Sequence, residues 1–197
     1  MSSYGWTEFR ERYESGRWEP RTKALIDTLS PGDLFVDVGA WIGPTTLWAL
    51  ERGASVIAFE PDPLAAAEFR RTIGDHPAAA RVEFHEAAVA LNEMGGWVKP
   101  PSGKELGGSE TQMAADGFAV KTVRLQTVLA GRAPDLVKID VEGFETVLAE
   151  WPIPWLAEQL IPMQISLHGE YIDRKIFDDY GDLHWPDNPR GDIVALP

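Results

Sequence analysis

The chain has 197 residues, of which 44% are hydrophobic and 25% charged, enough for one α/β domain with a full core and too few for two. It has no cysteine, which excludes disulfides, thiolate metal sites and a cysteine nucleophile together. A net charge of −13 argues against a protein that wraps a nucleic-acid backbone, because that binding needs lysine and arginine in excess.

Met1 to Trp6 lacks a basic stretch followed by an apolar core, and no apolar run is long enough for a bilayer. A cytoplasmic location with no membrane partner is therefore expected. Residues 1–32 read as an N-terminal helical segment and 33–197 as the main domain. The helical reading breaks near Pro20, places Leu25, Ile26 and Leu29 at helix spacing, and stops at Pro31-Gly32. Its charges are mixed, with Arg10, Arg12, Arg17, Arg21 and Lys23 interleaved with Glu8, Glu11, Glu14 and Glu19, which reads as a solvated face.

Leu34–Val38 is a short apolar run closed by a glycine turn, and Pro44–Leu50 follows as a helix. The pattern repeats in Ser55–Phe59 as a strand and Pro63–Ile73 as a helix whose proline suits a first turn. Arg81–His85 is a third strand. From Val89 to Val123 the regularity loosens, and Gly95-Gly96, Pro100-Pro101 and Gly107-Gly108 punctuate a hairpin and a long loop. Loops of that length in compact domains are often functional, and residues 95–118 are read as an acceptor lid. Leu136–Asp140 is the next strand, with a helix from about Glu142 to Glu150. Leu160–Leu167 and Asp192–Leu196 complete the strands. The alternation predicts a single-domain, mainly parallel twisted sheet with helices on both faces, whose ligands bind beyond the carboxyl ends of the strands.

Gly39-Ala40-Trp41-Ile42-Gly43 lies between the first strand and helix, where glycine permits a tight turn and a close approach to backbone. Glu60 tips the next strand, where a carboxylate can accept both hydroxyl hydrogens of an adenosine ribose. The spacing G-x-x-x-G, with Trp41 between the glycines, lacks the pyrophosphate cradle of a dinucleotide fingerprint. Asp37, beside the turn, can accept a hydrogen bond from an ammonium or a water.

Three runs, Leu34-Phe-Val-Asp-Val-Gly-Ala-Trp-Ile-Gly43, Val56-Ile-Ala-Phe-Glu-Pro61 and Val137-Lys-Ile-Asp-Val-Glu-Gly-Phe-Glu145, resemble the FkbM-type methyltransferases. The resemblance spans about residues 30–168 and implies a Rossmann-like fold that uses S-adenosylmethionine. In that family the acceptor is typically a hydroxyl of a sugar, glycan or natural product. Carried over by motif, Asp37, Gly39 and Gly43 would meet the methionine part, Glu60 the ribose, and Glu86 with Ala87 the adenine. Ala40 and Pro61, inside the matched runs, join the cofactor set. Trp41 stands where the family usually has asparagine, Gln126 where it often has aspartate, and Ser166 where it often has glutamate.

Lys138, Asp140 and Glu142 share even spacing, so they point one way while the strand lasts. They read as acceptor-handling groups or, alternatively, as a structural ion pair with Glu142 at a helix start. His168, ending a strand, matches the family's histidine and can move a proton near neutral pH, although a lone histidine often only packs. The expected chemistry is an in-line methyl transfer with His168 as base and Asp140 and Glu142 positioning the acceptor. No metal is expected, since no second ligand set accompanies the two carboxylates. The expected partner is a small-molecule or glycan acceptor and not a nucleic acid: cytosine carbon-5 methylation needs a cysteine, and Asp140-Val-Glu-Gly143 replaces the [DNS]-P-P-[YFW] turn of amino-group methylation. A nicotinamide oxidoreductase and a non-catalytic binding protein are the remaining rivals. Trp97, Trp151, Trp155 and Trp185 either line the acceptor pocket or pack in the core.

Overall fold

The computed structural model describes residues 6–169, 172–187 and 190–197, so the reading of residues 1–5 lies outside the described residues. In chain order the first half contains α1 (Trp6–Glu14), α2 (Pro20–Ile26), β1 (Leu34–Val38), α3 (Pro44–Glu51), β2 (Ser55–Phe59), α4 (Pro63–Gly74) and β3 (Val82–His85). Short strands follow: β4 (Ala88–Val89), β5 (Gly96–Lys99), β6 (Gln112–Ala114), β7 (Phe118–Val120) and β8 (Thr122–Val123). The remainder is α5 (Leu125–Leu129), β9 (Leu136–Ile139), α6 (Glu145–Leu148), α7 (Ile153–Glu158), β10 (Met163–Ser166), β11 (Asp182–His184) and β12 (Asp192–Leu196).

The central sheet has the order β11-β12-β10-β9-β1-β2-β3. Strands β3, β2, β1, β9 and β10 run parallel, while β12 is antiparallel to both β10 and β11. The order reverses at β1, which has β2 on one side and β9 on the other. The carboxyl edge at β1 and β9 is therefore the topological switch point, the place where open α/β sheets bind ligands.

Alternation along the strands builds two cores. Val36, Val38, Ile57 and Phe59 turn to the face covered by Leu129 of α5, Leu148 of α6 and Leu156 of α7. Phe35, Val56 and Ala58 turn to the other face, against Ile26 of α2, Leu50 of α3 and Phe69 of α4. At about 1.5–3 kcal/mol for each large apolar side chain buried, these two layers outweigh any single polar contact at the site.

Several segments differ from the sequence reading: α5 and β11 are absent from it, and the strand expected over 160–167 narrows to Met163–Ser166. The expected hairpin and loop between 89 and 123 holds a three-stranded antiparallel sheet, β6-β5-β7, and the pair β4-β8. The expected helix from 142 to 150 shrinks to Glu145–Leu148, because Glu142 and Gly143 both take positive φ and hold the helix start back. Pro152 then separates α6 from α7, a helix with Pro154 in its first turn that the sequence reading did not contain.

Candidate active site

A cavity of about 900 Å³ opens at the carboxyl ends of β1, β2, β9 and β10. It is floored by Gly39 and Ala40, walled by Glu60 on one side and Asp140 and His168 on the other, and covered by residues of α1 and of the 101–113 segment. The 101–113 cover lies inside the segment read as a lid.

The glycine turn is built by chain packing as much as by any ligand. Gly39 has φ 81° and lies so close to the Asp140 carbonyl that a Cβ would collide with it. The Gly39 and Ala40 N–H groups both donate to the Phe59 carbonyl, at 3.0 and 2.9 Å. Gly43, with φ 96°, precedes α3 and faces Phe69 and Ile73 of α4. It lies outside the cavity lining, so its expected contact with the methionine part is corrected to a packing role. Asp37 is likewise corrected. It is fully buried and accepts hydrogen bonds from the Thr45 and Thr46 hydroxyls at 2.6 and 2.8 Å. The ammonium it faces belongs to Lys138, at 3.5 Å.

Lys138 is also buried. Its Nζ donates to the Gly39 carbonyl at 3.1 Å and lies 3.6 Å from Asp140 Oδ2. Burial works against its charge, yet Asp37, Asp140 and Glu19 together raise its pKa. It clamps the tips of β1 and β9 as a fixed cation, the ion-paired arrangement that is one of its two readings, and it also lines the cavity.

Trp41 adopts φ 49°, a left-handed conformation that suits asparagine better than tryptophan. Long-range contacts stabilise it there. Its indole Nε1 donates to the Gly107 carbonyl at 3.0 Å and its ring meets Phe9 edge-on at 5.0 Å. Trp41 thus ties both covers, α1 and the 101–113 segment, to the turn. Trp18 also lines the cavity, whereas Trp97, Trp151, Trp155 and Trp185 do not. Trp97 is exposed, Trp151 packs on Trp155, and Trp185 packs on Phe177, so of their two readings the packing one holds for Trp151, Trp155 and Trp185, and neither holds for Trp97.

Glu60 is 7% exposed and reaches the cavity, and Pro61 lines it beside Glu60. The Glu60 oxygens accept backbone N–H groups from Trp41 at 2.9 Å and Asp62 at 2.8 Å, one each, leaving further lone pairs for hydroxyl donors. Burial pushes its carboxyl up to about 7 despite those two bonds. Ala87 lines the same end, but Glu86 does not: it is an exposed partner of Arg70 at 2.6 Å, and its expected place near an adenine is corrected accordingly.

Asp62 was absent from the sequence reading, although D-P at a helix start is a legible cap. Its Oδ1 caps α4 through the N–H groups of Leu64 and Ala65. Its Oδ2 accepts from the Gly107 N–H at 2.6 Å and the Thr111 hydroxyl at 2.7 Å. One carboxylate therefore ends a strand-helix turn and anchors the cover. Replacing Asp62 by alanine is expected to cost about 2–3 kcal/mol, the sum of a lost cap and two buried donors left unpaired. Denaturant unfolding measures the loss, and proteolysis should cut first within 101–113; a variant as stable and as resistant as wild type would refute the anchor.

His168, Asp140 and Glu142 meet at the opposite wall. His168 Nε2 lies 3.4 Å from Asp140 Oδ1 and 3.5 Å from Glu142 Oε2. Its Nδ1 lies 3.1 Å from Oε1 of Glu145, a fully buried residue the sequence reading gave no role. Both Glu145 oxygens already accept backbone N–H groups, from Val141 at 2.9 Å and Gly143 at 2.8 Å. The Nδ1–H therefore donates to Glu145, which fixes the ring and aims Nε2 at the cavity. Burial disfavours the charged ring, but Glu145, Asp140 and Glu142 outweigh it and raise the His168 pKa to about 9. Burial likewise pushes Glu142 up to about 7, opposed by His168. Ligand-type atoms of Asp140, Glu142 and His168 lie within 4.8 Å of one another, a spacing that suits a cation as well as a shared proton. Ser166 also lines the cavity, where its hydroxyl donates to Asp192 at 3.0 Å.

A reversing parallel sheet, a glycine turn, a carboxylate at the second strand tip and an acid-histidine cluster at the crevice define a Rossmann-like transferase site. The Methyltransferase FkbM domain model matches residues 37–153, and the chain belongs to this family. Family membership implies S-adenosylmethionine as methyl donor. The Glu60 lone pairs and a buried Asp140 Oδ1 that accepts no hydrogen bond leave acceptors for such a group. The FkbM methyltransferase from Methylobacillus flagellatus KT superposes with a TM-score of 0.60 at 19% identity, over 85% of this chain and 44% of that one. An rRNA-methylase candidate from Clostridium thermocellum gives 0.55 at 11% identity, over 90% and 94%. Ribosomal RNA small subunit methyltransferase A of Mycobacterium tuberculosis is 44% identical over 66 residues, 34% of this chain and 20% of that protein. The chain thus spans about a fifth of the curated relatives it matches. No helix among the described residues is long and apolar enough to cross a membrane.

Proposed function

We propose that the protein is a cytoplasmic O-methyltransferase that uses S-adenosylmethionine to methylate a hydroxyl on a sugar, glycan or natural product. The observation that supports this reading most is His168, with Nδ1 held by Glu145 and Nε2 beside Asp140 and Glu142 at one wall of the cavity. The sulfonium supplies an electrophilic methyl group. The protein's task is to align an acceptor oxygen with it and remove that oxygen's proton. Asp140 and Glu142 hold the hydroxyl, and His168, once deprotonated, takes the proton. Glu60 receives the ribose hydroxyls, while Gly39, Ala40, Pro61 and Ala87 shape the remaining donor surface. Lys138 holds the strand tips in register.

The match to a ribosomal RNA enzyme makes a nucleic acid the competing acceptor. Against it stand the overall charge of −13 and Asp140-Val-Glu-Gly143 at the turn after β9. Labelled methyl transfer to sugars, glycans, small hydroxylated products and ribosomal RNA distinguishes the two. Label is expected on a hydroxyl of a small or glycan acceptor, with turnover unaffected by a chelator. Labelling of RNA alone would overturn the acceptor class, and chelator-sensitive turnover would assign the Asp140–Glu142–His168 cluster to a metal.

A further inference from the structure

Glu19 belongs to the N-terminal segment, where its sequence neighbours read as a solvated mixed-charge face. The structure turns it inward. It sits just before α2 with φ 41°, lines the cavity, and buries its Oε2 without a hydrogen-bond partner. A solvent-facing glutamate would satisfy both oxygens with water. A buried, unpaired carboxylate oxygen is costly, so this one is poised for a donor that arrives with a ligand.

The surroundings specify that donor. The charged groups acting on Glu19 are Lys138, Asp140 and Asp192, of which only Lys138 is cationic. The Lys138 ammonium already serves the Gly39 carbonyl, Asp37 and Asp140. Arg12 and Arg190 also line the cavity, yet the buried Glu19 Oε2 accepts no hydrogen bond from any of these cations. The sheet gives the ligand's direction. Glu60 tips β2 on one side of β1, whereas Lys138 and Asp140 on β9 and Asp192 on β12 lie on the other. A ligand whose ribose rests on Glu60 extends past the Gly39 turn with its amino-acid end toward Glu19.

We infer that Glu19 binds the α-ammonium of the donor's methionine moiety through its free Oε2, so that the N-terminal segment completes the cofactor site. This rests on S-adenosylmethionine being the donor. The α-ammonium brings three N–H donors and a positive charge to a carboxylate oxygen that accepts no hydrogen bond. Phe9, Arg12 and Trp18 of the same segment line the cavity beside Glu19, so ligand binding and the docking of residues 6–19 are coupled.

Calorimetric titration of the full chain with S-adenosylhomocysteine and with its analogue lacking the α-amino group tests this directly. In the wild type, removing the amino group should weaken binding by roughly 10- to 100-fold, as for a charge-assisted hydrogen bond. In Glu19→Gln the homocysteine compound should itself bind about 10-fold or more weakly, and the penalty for removing the amino group should fall to a few-fold. Glu19→Asp, which keeps the charge, should restore part of that penalty. Thermal unfolding should show Glu19→Gln folded at least as stably as wild type, since it removes a buried charge. An amino-group penalty equal in wild type and Glu19→Gln, with homocysteine binding intact, would overturn this inference alone. Failure of the wild type to bind S-adenosylhomocysteine at all would overturn the donor reading and this inference with it.

Discussion

Replacing His168 by alanine should lower methyl-transfer turnover by roughly 10²- to 10⁴-fold, the usual contribution of a positioned proton acceptor. The expected loss lies in kcat, with little change in the affinity for S-adenosylhomocysteine, if His168 serves the acceptor as proposed while Glu60, on another strand tip, holds the donor. Glu145→Gln should reproduce part of the defect without touching any substrate. The amide keeps the volume but removes the negative charge behind Nδ1 and one of the acceptors shared by Val141, Gly143 and the ring. Turnover in both variants within two-fold of wild type would show that neither residue serves the reaction.

The pH dependence sharpens that test. With a pKa near 9, His168 carries its proton at neutral pH, so the sequence expectation of a ready base is modified: the ring must first lose that proton. In the free protein kcat/KM should therefore rise with pH toward about 9. A cationic donor beside the ring favours deprotonation, so the limb seen in kcat lies lower. Glu145→Gln should move both limbs to lower pH, a shift that a merely structural residue would not produce, and imidazole titration by nuclear magnetic resonance reads it independently. The sign for folding is the reverse. His168 binds its proton more tightly folded than unfolded, so its stabilising contribution is complete below about 6.5 and is lost as pH rises through about 9. Glu19, Glu60 and Glu142, each raised to about 7, act the same way from about 4.5 to 7. These four cavity groups thus favour the folded state on the acid side, while the proposed chemistry improves on the alkaline side. That opposition is expected where acid groups gather for a cationic ligand.

Much of the scaffold was legible because its signals are local. Leu34–Val38, Ser55–Phe59 and Asp192–Leu196 were readable from apolar runs bounded by glycine, proline or charge, and the structure returns the same bounds. Asp140, Glu142 and His168 were legible as a set because strand ends in parallel sheets converge on one edge. What escaped depends on long-range approach. Nothing local to Glu19 marks it as inward, since it sits among the exposed charges Arg17 and Arg21 and its aromatic neighbour Trp18 gives no sign of a cavity. Glu145 looks like an ordinary first-turn glutamate until His168 is brought to it from β10. The strands within 96–120 pair antiparallel through residues that the glycines and prolines disguise as loop. Asp37 was read beside the turn but its partner was misjudged, because β1 pairs Asp37 with Lys138 in register across the sheet.

Gly39→Ala should be the most damaging substitution to the fold at the site, lowering stability by about 2–4 kcal/mol from an overpacked contact plus a left-handed backbone. A Cβ at Gly39 meets the Asp140 carbonyl oxygen and carbon, which are backbone atoms and have no rotamer to swing away. The tips of β1 and β9 must part instead. That strains the Asp140 N–H to Val38 carbonyl bond of 3.0 Å and the Lys138 ammonium's 3.1 Å bond to the Gly39 carbonyl. Parting them also moves Asp140 away from His168, so binding of S-adenosylhomocysteine and turnover should fall along with stability. Gly43→Ala separates the packing cause from the site. Its Cβ would meet only side-chain atoms of Phe69 and Ile73 at 3.1 to 3.3 Å, which can yield by a few tenths of an ångström. The expected cost there is about 1–2 kcal/mol, mostly from φ 96°, with homocysteine binding retained. Denaturant unfolding and calorimetry on the two variants give both numbers. Equal losses at the two glycines would mean that the turn's backbone conformation alone sets the cost, and the close crossing of β1 and β9 at Asp140 would carry none of it.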